Sequence, residues 1–496
     1  MTEIHQHAGL AGEPPARRAP RKGVLIGVGT LLIVLTNAVI FILPPLLPII
    51  QAQYGLATVA ETTWLYTALT LGGGAGFILL PRLADLHGDR NASVAASAFL
   101  AAGALVPAVG DSYPTLLVGC ILMGFGGAAQ LLPLGFLRRN LGEDGITVGV
   151  AVLVVATGVG IVVGMIGGGF IVETLSLRSF FAILTAVCVA TTIACLVAIP
   201  HAPPAERNGR IAVLGTVWMI AWVAAILLTL TQGLVWGIAA LVPLVVGIVG
   251  GIAWVRVERR STSAVFDVAM MKTPLVTASC LCIALFAAVN SAFLLLLSTY
   301  AQISPENLRP EDSYGLGLSA LQTGWLMAPF AAAFLVRGTV LDRALLNGRG
   351  VPVFVIGALT SASGLAWLAL AHDQQWHYLV GAAVMGLGTR IGYAAGFTMV
   401  QIAVPEEKAG MAAGVAGTSM AVGFAFGTAL VSGDLSASLV PVVGTGLEVA
   451  AKGLYGTGYW LSGVLALLVV VTVLISRARS GRRIEGVLFD AHPGHQ

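Results

Sequence analysis

Apolar runs long enough to cross a bilayer recur along almost the whole chain, and that recurrence constrains the fold more than any motif does. About 20 apolar residues suffice to cross the hydrocarbon core as a helix. Only 10% of the 496 residues are charged, against about 25% in a soluble domain. Mean hydropathy is +0.91. A soluble chain of this length would split into several domains joined by polar linkers. The pattern here predicts an all-α, polytopic membrane protein. The net charge of +3 says little about partners, because the distribution of charge over loops matters more than its sum.

Fourteen spans are expected, at 24–49, 60–81, 92–109, 115–137, 146–170, 180–199, 211–231, 237–255, 274–300, 321–341, 351–371, 378–403, 409–431 and 457–476. Lys and Arg fix the orientation. With the N-terminus inside, only Arg178, Arg309 and Lys452 face outward, Arg390 lies in the membrane, and every other Lys and Arg is cytoplasmic. That bias places both termini in the cytoplasm and requires an even number of spans. Residues 1–22 are polar, with Pro14, Pro15 and Pro20, and lack the apolar core and cleavage site of a signal peptide. His5 and His7 make no metal site, and the five cysteines, all in apolar runs, make no disulfide framework.

The chain repeats itself. Met123-Gly-Phe-Gly126 is echoed by Met385-Gly-Leu-Gly388, Leu83-Ala-Asp85 by Val340-Leu-Asp342, and Gly160 with Gly164 by Gly423 with Gly427. The offsets are nearly constant at about 260 residues, which predicts two pseudo-symmetric six-helix halves. The expected organisation is a cytoplasmic tail (1–23), a first half (24–199), an inserted two-helix linker (200–273), a second half (274–476) and a second tail (477–496).

Arg390 sits near the middle of the run Tyr378–Ala403. A guanidinium at that depth costs about 2.5–3.5 kcal/mol on insertion scales. Either backbone carbonyls or a helix end satisfy it inside the bundle, or it meets a substrate in a water-filled cavity.

The loop Pro81-Arg-Leu-Ala-Asp-Leu-His-Gly-Asp-Arg90 resembles a signature of the major facilitator superfamily, Gly-x-Leu-Ala-Asp-x-x-Gly-Arg-Lys. Asp85, Gly88 and Arg90 match, while Pro81 and Asp89 depart from it. Thr63-Trp64, Arg178-Ser-Phe-Phe181, Leu318-Ser-Ala-Leu-Gln-Thr-Gly324, Val404-Pro-Glu-Glu-Lys-Ala-Gly410 and the inserted pair resemble the fourteen-helix drug:proton antiporter branch. The resemblance implies alternating access, with a gating loop at Asp85, Gly88 and Arg90 repeated at Asp342. It further implies that the first and fourth helices of each half line a substrate cavity. Those helices carry Thr36, Asn37, Gln130, Asn290, Ser291, Arg390 and Tyr393.

The departures bear on coupling. Thr36 stands where the branch has an Asp, Cys120 where it has an Arg, and Met165 where it has a Pro within the helix-packing motif Gly160, Gly164, Gly168 and Gly169. Loss of that Pro predicts a straighter fifth span. No Asp, Glu or His lies at mid-membrane depth, and Arg390 stays charged at any physiological pH. Protons therefore stay open as a coupling partner.

The expected function is export of a small organic molecule across the plasma membrane of a prokaryotic-type cell, by a monomer in contact with lipid. No cofactor, metal or nucleic acid is expected, and no nucleophile–base constellation suggests an enzyme. Two other readings stand beside it: a carrier for an anionic metabolite held by Arg390, and a non-transporting membrane sensor.

Overall fold

A computed structural model of the chain describes residues 22–56, 59–141, 143–201, 213–258, 273–336, 339–346, 349–404 and 409–480. Residues 1–21 and 481–496 of the two tails, most of the polar stretches at 200–210 and 256–273, Gly348 and the Pro405–Lys408 part of the 404–410 motif lie outside the described residues.

Among the described residues the architecture is helical apart from one hairpin. In the first part of the chain come α1 (Lys22–Phe41), α2 (Leu43–Tyr54), α3 (Val59–His87), α4 (Asp89–Val109), α5 (Tyr113–Gly127) and α6 (Leu132–Leu141). Then follow α7 (Glu143–Val162), α8 (Gly168–Thr174), α9 (Leu177–Ala198), α10 (Val213–Trp236) and α11 (Leu241–Glu258). The remainder holds α12 (Pro274–Gln302), α13 (Ala320–Leu335), α14 (Thr339–Leu346), α15 (Gly350–Leu370), α16 (Gln375–Ile402), α17 (Ala409–Leu435) and α18 (Lys452–Ser480). Strands β1 (Leu439–Pro441) and β2 (Glu448–Ala450) pair antiparallel between α17 and α18.

Among the described residues, eleven helices are long and apolar enough to cross a membrane. Those with shorter or less apolar described stretches are α10, α13 and α16, the last of which carries Arg390.

Several expected spans are broken, each for a local reason. The first divides at Ile42, because Pro44 and Pro45 cannot donate to the preceding turn and suit a helix start instead. The fourth passes through a 3₁₀ turn at Ala128–Leu131, just before Pro133. The fifth, expected to be straighter for lack of the Pro, carries an irregular turn at that place. A π turn, Val163–Gly167, surrounds Met165 and separates α7 from α8, and such single turns re-aim a helix without a proline. The stretch Leu318–Gly324 is a capping box: the Gln322 N–H donates to Ser319 Oγ (3.2 Å) and the Ser319 N–H to Gln322 Oε1 (3.0 Å).

Repeated glycines make repeated contacts. A Cβ on Gly160 would lie 2.6 Å from the Val34 carbonyl oxygen, and one on Gly164 2.5 Å from that of Ala38. Gly423 and Gly427 meet Ala284 and Ala288 of α12 in the same way. Gly124 packs on Leu69 of α3, and Gly126 on Ala96 and Leu100 of α4. Gly386 packs on Phe330 of α13, and Gly388 on Gly357 and Ser361 of α15. Where helix backbones come this close only hydrogen fits on Cα, and dispersion between backbones holds the pair in lipid.

Contacts between the first and last parts of the chain run along two lines. Along one, Gly414 and Gly417 of α17 lie against Phe77 of α3. Along the other, α13 packs on α7, the π turn and α8, with Gly324 against Met165 and Gly169 against Ala320. The Leu321 N–H donates to Glu173 Oε1 (2.7 Å), and Gln302 Nε2 donates to the Pro45 carbonyl (3.1 Å). Helices α10 and α11 pair with each other, and α10 also packs on both α3 and α17. Met219, Val223 and Trp254 meet Ala425 there.

Candidate functional site

The polar residues expected to line a path fall into two kinds: those already bonded to backbone and those that are not. Thr36 Oγ1 donates to the Ile33 carbonyl (3.0 Å) and Asn37 Nδ2 to the same oxygen (2.9 Å). Both are buried, and the Asn37 side chain lies against Gly160. Ser291 Oγ donates to the Phe424 carbonyl of α17 (2.9 Å) and joins two helices. Gln130 is buried in the 3₁₀ turn that interrupts the fourth span.

Asn290 differs. It is 0% exposed on α12, and neither amide atom makes a hydrogen bond of standard geometry, though the amide interacts with the Tyr393 hydroxyl. An orphaned buried donor or acceptor costs about 1–3 kcal/mol, so such atoms are normally satisfied by protein, water or a ligand. The neighbouring polar group is the hydroxyl of Tyr393 on α16, also buried and without a bond of standard geometry. Arg390 lies three residues before Tyr393, on the same helix face and half-buried. The Phe397 ring lies 6.3 Å beyond Tyr393. The structure thus brings together Asn290, Tyr393 and Arg390: an amide with both a donor and an acceptor to offer, a phenol, a guanidinium and a ring face. Such a wall suits an organic molecule with oxygen functions, one of them acidic.

The loop residues hold helix ends. Gly88 has φ +86°, a conformation that favours glycine, and turns the chain sharply from α3 into α4. Arg90 Nε donates to the Leu196 carbonyl (2.9 Å) at the C-terminus of α9, where a cation meets the negative end of the helix dipole. Asp85 is half-buried at the end of α3. Asp342 falls within α14, and its side chain lies outside the described part.

Sequence reasoning missed a second polar cluster at the end of the bundle that carries the hairpin. Tyr300, Tyr314, Tyr378, Tyr455 and Tyr459 are all buried there. Tyr300 Oη donates to Asp373 Oδ1 (3.0 Å), and Tyr314 donates to the Ala450 carbonyl of the hairpin. The Lys452 ammonium, 2.8 Å from Asp373 and donating to it, holds that carboxyl below its ordinary value. Burial pushes the His372 imidazole below its own. A signal was available in Tyr455 and Tyr459, which share one face of a helix at i, i+4.

Known proteins resemble this chain over most of its length. A family model described as Major Facilitator Superfamily matches residues 29–205 and 197–428. The chain is 25% identical over 440 residues to the probable actinorhodin transporter of Streptomyces coelicolor, covering 85% of this chain and 73% of that one. It is 25% identical over 470 residues to the tetracenomycin C resistance and export protein of Streptomyces glaucescens (88% and 80%). To the multidrug resistance protein Stp of Mycobacterium tuberculosis it is 24% identical over 439 residues (86% and 77%). Among solved structures it is similar to a peptide transporter, POT, with a TM-score of 0.63, 15% identity and coverage of 94% and 96%. It is also similar to the nucleoside transporter NupG, with a TM-score of 0.61, 12% identity and coverage of 92% and 99%. The matched segments span most of its length, and the chain belongs to the Major Facilitator Superfamily.

Proposed function

We propose that this transporter exports a small organic molecule across the plasma membrane by alternating access, and that Asn290, Tyr393 and Arg390 form the wall it meets. The amide of Asn290 carries the reading, since a fully buried polar side chain that reaches the Tyr393 hydroxyl without a bond of standard geometry keeps capacity for a guest in part of the cycle. The names of the relatives, a probable actinorhodin transporter, a tetracenomycin C resistance and export protein and a multidrug resistance protein, support outward movement of an organic compound.

The finer architecture belongs to the same proposal: fourteen spans in two six-helix halves, 24–199 and 274–476, with the inserted pair of 200–273 across one seam. Matching glycine contacts in the two parts support it. The Lys and Arg distribution supports cytoplasmic termini and an outward-facing hairpin end. Thr36, Asn37, Gln130 and Ser291 complete the lining. Asp85, Gly88, Arg90 and Asp342 gate the cytoplasmic face, and the working unit is a lipid-embedded monomer.

Export is tested by the loss of ethidium, and of an anionic fluorescent dye, from cells making the chain. The expected result is faster loss than from cells without it, and equal rates for a broad panel of dyes would refute export. Arg390→Gln separates the two classes of guest. If Arg390 binds an acidic group, anionic competitors lose about 2–5 kcal/mol of binding and neutral ones lose little. Equal loss for both would make Arg390 part of the frame.

A further inference from the structure

At the hairpin end, His372 lies just beyond the last turn of α15 and packs edge-on against Tyr300 of α12, with ring centroids 5.2 Å apart, and against Tyr459 of α18 at 6.1 Å. Tyr455 of α18 and Tyr378 of α16 close the group, at 5.0 and 5.8 Å from Tyr300. His372 Nδ1 lies 2.9 Å from the Leu368 carbonyl. A carbonyl only accepts, so Nδ1 carries the hydrogen of the neutral ring and Nε2 keeps its lone pair. Nε2 is buried with no hydrogen-bond partner, whereas the hydroxyls beside it pair loosely among themselves, Tyr378 with Tyr459 and Tyr455 with Tyr314 and Thr299. One base with an unused lone pair is therefore packed among phenols, whereas buried polar groups nearly always find partners.

We propose that His372 Nε2 is a proton-binding site reached from the outer aqueous phase, and that its protonation loosens the closed outer face of the transporter. The inference rests on the transporter reading and its topology. In the step itself, hydronium gives its proton to the Nε2 lone pair. An N–H bond forms, an O–H bond of hydronium breaks, water leaves and the ring becomes imidazolium. The new N–H turns a buried acceptor into a donor, and Tyr459, whose ring lies 6.1 Å away, is the phenol to which it turns.

The surrounding charges set the consequence of protonation. Asp373, next in the chain and exposed, favours the cation, while Lys452 on α18 and His377 on α16 oppose it. From α12 and the loop beyond it come the phenols Tyr300 and Tyr314, and Asp434 at the end of α17 is already bonded to Thr457 (2.9 Å). Imidazolium therefore adds a positive charge beside Asp373 and weakens the hold of that carboxylate on Lys452 and Tyr300. Tyr300 stands two residues before Gln302, whose amide crosses to Pro45 of α2, so release of Tyr300 is felt where the outer ends meet. Burial keeps the imidazole neutral near neutrality and lets it charge only in acid, the sign that a sensor of external acid requires. The site also supplies a titratable group to a chain with no carboxylate at mid-membrane depth.

The test reads opening directly. Leu46 of α2 is fully buried in the cluster that includes Leu296 and Leu297 of α12, and Val443 on the hairpin is exposed. In right-side-out membrane vesicles, labelling of Leu46→Cys by an impermeant maleimide is divided by labelling of Val443→Cys. The ratio is expected to rise about threefold or more as external pH falls from about 7.5 to about 5.5, the range in which histidine titrates. His372→Asn keeps a side-chain N–H near the Nδ1 position but has no base at Nε2, so its ratio should stay flat. Tyr459→Phe removes an acceptor and should move the midpoint to lower pH. A ratio that ignores pH in the parent chain, an unchanged rise in His372→Asn, or an unmoved midpoint in Tyr459→Phe would each overturn the site. Ethidium efflux at neutral pH reads transport separately, so a chain that exports with a flat ratio refutes the proton site alone.

Discussion

Gly164→Ala and Gly27→Ala make the same chemical change and should move stability in opposite directions. At Gly164 the new methyl would sit 2.5 Å from the Ala38 carbonyl oxygen and 3.0 Å from its Cα, where ordinary contacts begin near 3.4 Å. Both obstacles are backbone, so α1 and the π turn must part by several tenths of an ångström. Overpacking of that kind costs about 1–3 kcal/mol. Gly27 is exposed on α1 with nothing within 4 Å of the added carbon. There the gain in helix propensity is about 0.5–1 kcal/mol. With about 2 cal/mol/K of unfolding entropy per residue, 496 residues convert each kcal/mol into about 1 °C. Thermal unfolding of the purified protein should therefore fall by about 1–3 °C for Gly164→Ala and rise by up to about 1 °C for Gly27→Ala. Equal shifts at the two positions would show that glycine at 164 is not there for the close approach, and would remove the packing argument for its counterpart Gly427.

Ser291→Ala should lower stability by about 0.5–1.5 kcal/mol, since it removes the bond to Phe424 without leaving a buried donor; a thermal shift of zero would refute that bond. Arg90→Ala should cost about 0.3–1 kcal/mol through loss of the cation at the end of α9, with faster amide exchange near Leu196 as the local readout. Asp85→Asn should alter cross-linking across the cytoplasmic face and slow turnover more than it weakens binding, and unchanged accessibility would reduce Asp85 to a loop residue. The Lys452–Asp373 pair tracks the depressed carboxylate: its contribution is present above the unfolded pKa and is lost as pH falls through the lower folded value. Lys452→Met should therefore differ from the parent near neutrality and converge with it in strong acid, by only a few tenths of a kcal/mol for so exposed a pair.

Membrane residence was legible because lipid enforces it: a chain that buries its backbone polar groups in hydrocarbon must write long apolar helices into its sequence. The glycine repeats were legible for a similar reason. Gly160, Gly164, Gly423 and Gly427 mark places where one backbone meets another, and no other residue type serves there. The polar residues were found by type and depth, but their roles were not, because a role depends on which neighbour arrives. Ser291 and Asn290 are adjacent in sequence, yet one meets the Phe424 carbonyl of α17 and the other faces the Tyr393 hydroxyl of α16. Pro44 and Pro45 carried a signal for the break that the expected 24–49 span overlooked, whereas the π turn at Met165, which packs against α1 and α13, had no residue to announce it. The tyrosine–histidine cluster was hidden for the plainest reason: its members come from α12, α15, α16 and α18, and only the folding of the bundle sets the His372 ring 5.2 Å from Tyr300 and 6.1 Å from Tyr459.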